Sequence, residues 1–385
     1  MTQINHSTLH EVTQLLHDLV AIDSVNPDLT PGAVGEAGMA EYVANWLIQA
    51  GLDVEIEDVA PGRPNVVGIA RGTGGGRSLL FNAHMDTVGV AGMAQPHTPV
   101  VDGKRLYGRG AYDMKGGLAA ALVAAAQAKQ QNLRGDVIVT AVCDEEYASI
   151  GTEALVKRWH ADAAIVTEPT ELQICVAHKG FVWLQIETSG VAAHGSRPDL
   201  GVDAIAKMGH VLVGLEKLDR DLRAQPTHKL LKSGSLHASL IRGGQELSSY
   251  PERCLVDVER RTIPGETPAL VQAQIQTILD GIAAVDPAFK AAVKTTFARE
   301  SFGIAEDELI FQLVNRFASQ SLGQAPNVIG MPFWMDTAIL SAAGIPCVAF
   351  GPSGTGAHAV VEWVDLESVA QCTEILLETA LEFCR

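Results

Sequence analysis

No stretch of this sequence is apolar for the roughly 18 to 20 residues that a helix needs to cross a bilayer. The opening residues, MTQINHSTLHEV, are polar and show neither a basic start with an apolar centre nor a small-residue cleavage site. A soluble, cytoplasmic protein without a membrane partner is the expectation. Cysteine pairing is missing too. Cys143, Cys175, Cys254, Cys347, Cys372 and Cys384 are scattered singly in apolar or helical contexts, which fits reduced thiols better than a disulfide framework or a CxxC metal site. Basic residues are scarce, 28 against 45 acidic ones, and the net charge of -17 would repel a polyphosphate backbone, so nucleic acid is excluded as an expected partner. The acidic surface reads as a means of solubility ahead of steering a cationic substrate. The tract from Gly72 to Gly76 lacks the GK[ST] ending of a phosphate loop and reads as a hairpin connection. There is no internal repeat and no low-complexity linker.

What is present is too long for one core. Single cores stop growing at roughly 250 to 300 residues, and 385 residues therefore predict two domains. Thr8 and Glu11 read as a capping box ahead of a helix with Val12, Leu15, Leu16 and Leu19 on one face. Strands follow at Val54 to Val59, Asn65 to Ala70 and Leu79 to Ala83. An Ala-rich helix from Lys115 to Gln130, a strand from Asp136 to Cys143, a helix after Gly151 and a strand from Ala163 to Thr167 then alternate, the signature of an α/β sheet covered by helices. From Phe181 the order changes to a small α+β unit, and after Arg299 the α/β character returns with helices, a strand at Pro346 to Phe350 and a terminal helix from Leu366. The expected division is 1–180 with 295–385 as one domain and 181–294 inserted into it.

Ligands of open α/β sheets gather outside the carboxyl ends of strands, and five such places carry acidic or imidazole side chains. SLLFNAH ends at His84, with Asp86 two residues on. GRGAYD brings Asp113 to the start of the Ala-rich helix. DVIVTAVC runs into Asp144, Glu145 and Glu146. AAIVT ends at Glu168, and CVAFGP leads to His358. Each alone is an ordinary turn or loop residue. Together, two imidazoles and three carboxylates make an N/O donor set suited to two divalent ions of the zinc type, where magnesium or calcium would favour oxygen alone.

The motifs NAHMDTV, GRGAYDMKGG, CDEEYASIG, VTEPT, AAHGSRPDLGVDAI, ERRTIPGE and GPSGTGAHAVVEW, in order along almost the whole chain, resemble those of the M20 metallopeptidase family. The likeness is to its branch of acetylornithine deacetylases and succinyl-diaminopimelate desuccinylases. That resemblance implies a zinc-peptidase-like α/β domain with a mixed sheet flanked by helices, and an inserted α+β lid and dimerisation domain. It implies two metal ions, Zn2+ first and Co2+ or Mn2+ as alternatives, with His84 and Glu168 on one, Glu146 and His358 on the other and Asp113 bridging. Asp86 would orient His84, and Glu145 would be the general base acting on water.

The same resemblance makes His194 an oxyanion-stabilising residue that reaches the partner subunit's site, and so implies a homodimer. Arg261 would clamp a substrate carboxylate, with Arg260 as a rival. Ser248 stands where many relatives carry Asn, and Ser353 replaces the second Gly of a common GPG, so these two are candidate substrate contacts. Glu168, where carboxypeptidase-like members often use Asp, favours acyl removal. The implied substrate is a small N-acyl L-amino acid, acetylated or succinylated and of the N-acetylornithine kind. A dipeptidase or carboxypeptidase, or a silent binding protein, is the alternative.

Overall fold

The computed structural model describes residues 5–385. Its first helix, His6–Ala21, buries Val12, Leu15, Leu16 and Leu19 as their spacing predicts. The expected capping box is a misreading. Asn5 is the cap, its side chain accepting from Ser7 N at 3.0 Å, and Thr8 lies buried inside the helix. Asn is as good a cap as the β-hydroxyl residues, and it comes first in the chain. A further helix, Ala37–Gln49, packs on the strand Arg63–Ala70 through residues that include Val43 and Leu47.

Seven of the nine strands of the main sheet run in the order Asp53–Ala60, Arg63–Ala70, Val137–Val142, Leu79–His84, Ala163–Val166, Cys347–Ala349 and Ile174–His178. Leu79–His84 is parallel to both its neighbours, and Cys347–Ala349 is parallel to Ala163–Val166. Asp53–Ala60 and Arg63–Ala70 are antiparallel. The sheet is mixed, and its parallel part brings several carboxyl ends to one edge. Because Val137–Val142 lies between Arg63–Ala70 and Leu79–His84, the Gly72 to Gly76 tract is not the hairpin connection it resembles. It runs beside Leu133 to Gly135, with Thr73 N on Leu133 O at 2.9 Å and Gly74 N on Arg134 O at 2.8 Å. A Cβ on Gly72 would stand 2.4 Å from Gly135 O, so close backbone approach explains that glycine.

The helix Gly116–Lys129 is buried on nearly every side, and the terminal helix Leu366–Phe383 packs against it. Alanine suits it because small side chains let helix and sheet approach closely. Among the described residues, no helix is long and apolar enough to cross a membrane.

The chain divides into two units, one of 1–176, 304–329 and 335–385, the other of 177–303 and 330–334. The expected boundaries at 181 and 294 therefore move to 177 and 303. The later one moves because Lys290–Arg299 is a full strand, antiparallel to Gly180–Ser189. In the second unit Ser235–Gly243, Arg253–Thr262, Gly180–Ser189 and Lys290–Arg299 pair in that order, all antiparallel. Val182, Leu184, Ile186, Val256 and Val258 form a core with Met208 and Val211 of the helix Ala204–Ala224 and Ile275 and Leu279 of Pro268–Val285.

Candidate metal centre

The parallel register sets the site. His84 is level with Val142, and Asn82 with Val166, so the residues just beyond these strands emerge side by side. Those residues are Asp144 to Glu146 and Glu168. Asp113 comes from the irregular turn Ala111–Lys115 that leads into the Ala-rich helix, and His358 from the loop beyond Cys347–Ala349.

All five expected ligands and Glu145 converge. Ligating atoms of His84, Glu145 and Glu168 lie within 4.8 Å of one another, as do those of His84, Asp113 and Glu146. Both groups share His84, and the pairwise distances sort them further. Asp113 Oδ1 is 3.3 Å from His84 Nε2, while its Oδ2 is 3.3 Å from His358 Nε2. Glu146 Oε2 stands 3.0 Å from His358 Nε2, and Glu168 Oε1 3.8 Å and Glu145 Oε2 3.9 Å from His84 Nε2. Asp113 thus sits between two imidazoles, one oxygen turned to each.

The electrostatics are those of a group of carboxylates crowded out of water. Burial and then the charge of Glu168 push Glu145 well above the usual carboxylate range. Burial, with Asp113 and Glu146 nearby, raises Glu168 likewise. Burial and Asp113 bring Glu146 up to about 7, and burial brings Asp336 up to about 6. At Asp113 burial acts in the same sense, but hydrogen bonds from His358 and His84 outweigh it and hold the carboxyl below its usual range. Bonds to Asp113 and Glu146 raise His358 to about 10. At His84, burial alone would lower the imidazole, yet Asp113 and Asp86 raise it well above its usual value.

Among the buried oxygens without a hydrogen-bond partner is Glu146 Oε1, on one of the expected ligands. Such an atom is costly to bury, and a cation beside it removes the cost. Donor types, crowding and the orphaned Glu146 oxygen all fit a pair of divalent transition ions.

Asp86 acts through both its main chain and its side chain. His84 Nδ1 is 2.9 Å from the Asp86 carbonyl oxygen and 3.5 Å from the carboxylate. The nearer acceptor that leaves Nε2 free to ligate is therefore the main chain. The carboxylate accepts from Glu145 N at 3.1 Å, Glu146 N at 3.2 Å and Asn26 Nδ2 at 2.7 Å. Asn26 also donates to Asp144 at 3.0 Å. Arg63 donates to Asp144 at 2.9 Å, to Glu36 at 2.5 and 2.6 Å and to Asp28 at 2.7 Å. Asp144 has a left-handed backbone, φ 68°, a conformation Asp tolerates better than most residues. Asn26, Glu36 and Arg63 thus support the turn that aims Glu145 and Glu146, and nothing in their local sequence signals it.

Ser353 belongs to the first unit, where its N donates to Ser368 Oγ at 2.8 Å and its O accepts from Asp365 N at 2.8 Å. His194, Ser248 and Arg261 belong to the second. His194 is exposed, bridges to Ser249 and has Nδ1 2.8 Å from Ser196 Oγ. The carbonyl of exposed Ser248 accepts from Gly195 N at 2.6 Å. Arg260 is fully buried, bonded to Glu266 and the Arg261 carbonyl. Arg261 is partly exposed, its Nε on Glu259 at 2.6 Å and its guanidinium 5.3 Å from the Phe181 ring centre. Of the two arginines, Arg261 is the one a solute can reach.

The sequence matches Peptidase family M20/M25/M40 over residues 80–382. It is 31% identical over 396 residues to an acetylornithine deacetylase of Myxococcus xanthus, covering 98% of each chain. It is 28% identical over 415 residues to an N-formyl-4-amino-5-aminomethyl-2-methylpyrimidine deformylase of Bacillus subtilis, covering 97% of this chain and 95% of that one. Among solved structures, a dinuclear metal-binding peptidase of the M20 family from Bacillus subtilis superposes with a TM-score of 0.75 at 18% identity, over 98% of this chain and 100% of that one.

Proposed function

The chain belongs to peptidase family M20/M25/M40, and from that membership we propose that it removes a short acyl group from an N-acyl L-amino acid, N-acetylornithine first among candidates. The observation that carries the reading is Asp113, whose two oxygens face two different imidazoles, each 3.3 Å away. His84 and Glu168 would complete one ion site, and Glu146 and His358 the other. Two divalent ions held there, zinc before cobalt or manganese, would supply Lewis acidity toward a water and an acyl oxygen. Glu145 takes a proton from the attacking water on its carboxylate and returns it to the departing amine nitrogen. Its carboxylate stands beside the proposed ligands, Oε2 3.9 Å from His84 Nε2, within reach of a water held there.

The deacetylase relative from Myxococcus xanthus and the Glu at position 168 support acyl removal over peptide cleavage. Arg261 would hold the substrate carboxylate, with Ser248 and Ser353 as lesser contacts. His194 would stabilise the oxyanion in the partner subunit's site, which requires a homodimer. The edge strand Ser235–Gly243, unpaired on one side and exposing Leu240 and Ile241, offers a surface for it.

A metal-supplemented assay tests the reading with N-acetyl, N-succinyl and N-formyl amino acids and dipeptides, the formyl compounds because of the deformylase relative. N-acetylornithine should give the highest kcat/KM. Dipeptides turning over faster would make the chain a peptidase, and no turnover of any amide with zinc, cobalt or manganese would make it a binding protein.

A further inference from the structure

One buried ion pair, unused in the chemistry above, touches both chain segments that meet at the second ion site. Glu362 lies four residues beyond His358, and Arg109 four before Asp113. The side chains are 0% and 3% exposed. Glu362 Oε1 accepts from Tyr112 N at 2.9 Å and Asp113 N at 3.1 Å, and Oε2 from Gly110 N at 3.0 Å and Arg109 Nη1 at 2.6 Å. Arg109 Nη2 donates to the Ala359 carbonyl at 3.0 Å and the Gly89 carbonyl at 3.1 Å. Three main-chain N–H groups of the Asp113 turn and the carbonyl next to His358 are thereby tied to one pair of charges.

The two ion sites depend on this pair unequally. His84 ends a strand and Glu168 follows one closely, so hydrogen bonding within the sheet sets their places. His358 has no such support. It lies on a loop, its side chain is 57% exposed, and its φ of 61° is one that few residues other than glycine adopt. A turn bond from Ala359 N to Gly356 O at 2.9 Å shapes the loop locally, and Arg109 on the Ala359 carbonyl ties that turn to the Asp113 segment.

We propose that the Arg109–Glu362 pair is a brace that fixes the separation of Asp113 from His358. It thereby sets the affinity of the ion site formed by Asp113, Glu146 and His358, and affects the site of His84, Glu168 and Asp113 less, because two of that site's three ligands are placed by the sheet. The proposal rests on the two-ion reading of the centre. Both residues are positioning residues, bonded to each other and to the main chain that carries the proposed ligands.

Zinc titrated calorimetrically into the metal-free full-length chain, with metal content after dialysis, tests it. Wild type should take up two ions. Glu362→Gln keeps the side-chain shape but turns an N–H2 group toward Arg109. It should bind the first ion within threefold of wild type and the second about 10 to 100-fold more weakly, the usual loss when a group supporting a ligand is removed, leaving one ion per chain after dialysis. Arg109→Lys keeps the charge but cannot reach Glu362 and Ala359 together, and should weaken the same ion by a smaller factor.

Two ions at wild-type affinity in Glu362→Gln, or an equal loss at both sites, overturn the brace. If circular dichroism shows Glu362→Gln unfolded, Arg109→Lys decides by the same criterion. A wild-type chain that binds one ion instead overturns the two-ion reading and the brace with it.

Discussion

In the first unit the strands nearest the candidate centre are buried along their whole length, their only internal polar side chains, Asn82 and Thr140, bond to each other, and ionisable side chains appear only where the strands stop. In the second, alternate residues of Gly180–Ser189 turn to a helix-covered core and to an uncovered face bearing Trp183, Gln185 and Glu187, while His194 and Ser248 stand on exposed segments. The first arrangement holds charge in a dry, preorganised setting where electrostatic effects are large. The second leaves side chains adaptable and individually weak. The difference teaches that buried, convergent charge gathers in the first unit, while the second presents its polar side chains singly and within reach of solvent.

The largest expected effect tests the first half of that contrast. Glu145→Ala should lower kcat by about 10^2 to 10^4-fold, the range for loss of a general base, with two metals still bound by elemental analysis. Loss of metal instead would exchange the roles of Glu145 and Glu146. Next, His194→Ala should lower kcat by about 10^2 to 10^3-fold, as when an oxyanion donor is removed. Mixed with Glu145→Ala chains it should regain activity through hybrid dimers. Hybrids that form and stay inactive would return His194 to its own subunit.

The smallest effects concern stability, and they compare a buried ion network with an exposed pair. Arg63→Met would strand the buried Glu36 and Asp144 carboxylates and should cost about 3 to 5 kcal/mol. Lys217→Ala breaks the exposed pair with Asp221 on the second unit and should cost less than about 0.5 kcal/mol. Denaturant unfolding of both variants measures the gap. Similar values would mean that Arg63 does not carry the turn that aims Glu145.

Residues at the ends of strands were legible in the sequence because a strand announces itself by its run of apolar, β-branched residues and a polar stop. His84, Glu146 and Glu168 are of this kind. Strand order was not legible. Nothing local says that Val137–Val142 inserts beside Leu79–His84, which is why the glycine tract reads as a hairpin. The supports of the centre are hidden for the same reason. Asn26, Glu36 and Arg63 meet Asp144 across 118, 108 and 81 residues of chain, and no spacing rule spans such distances. Which of Arg260 and Arg261 is buried was decidable in advance. On a half-covered strand Arg260 shares its side with Val256 and Val258, while Arg261 shares the other with Asp257 and Glu259.

The place of the insertion also orders events while the chain is being made. His84, Asp113, Glu146 and Glu168 are all synthesised before Ala177, and the second unit has its last residue at Trp334. His358 and the terminal helix that packs against Gly116–Lys129 come later still. A growing chain therefore holds every residue of its second unit before it holds either His358 or the helix that packs on Gly116–Lys129.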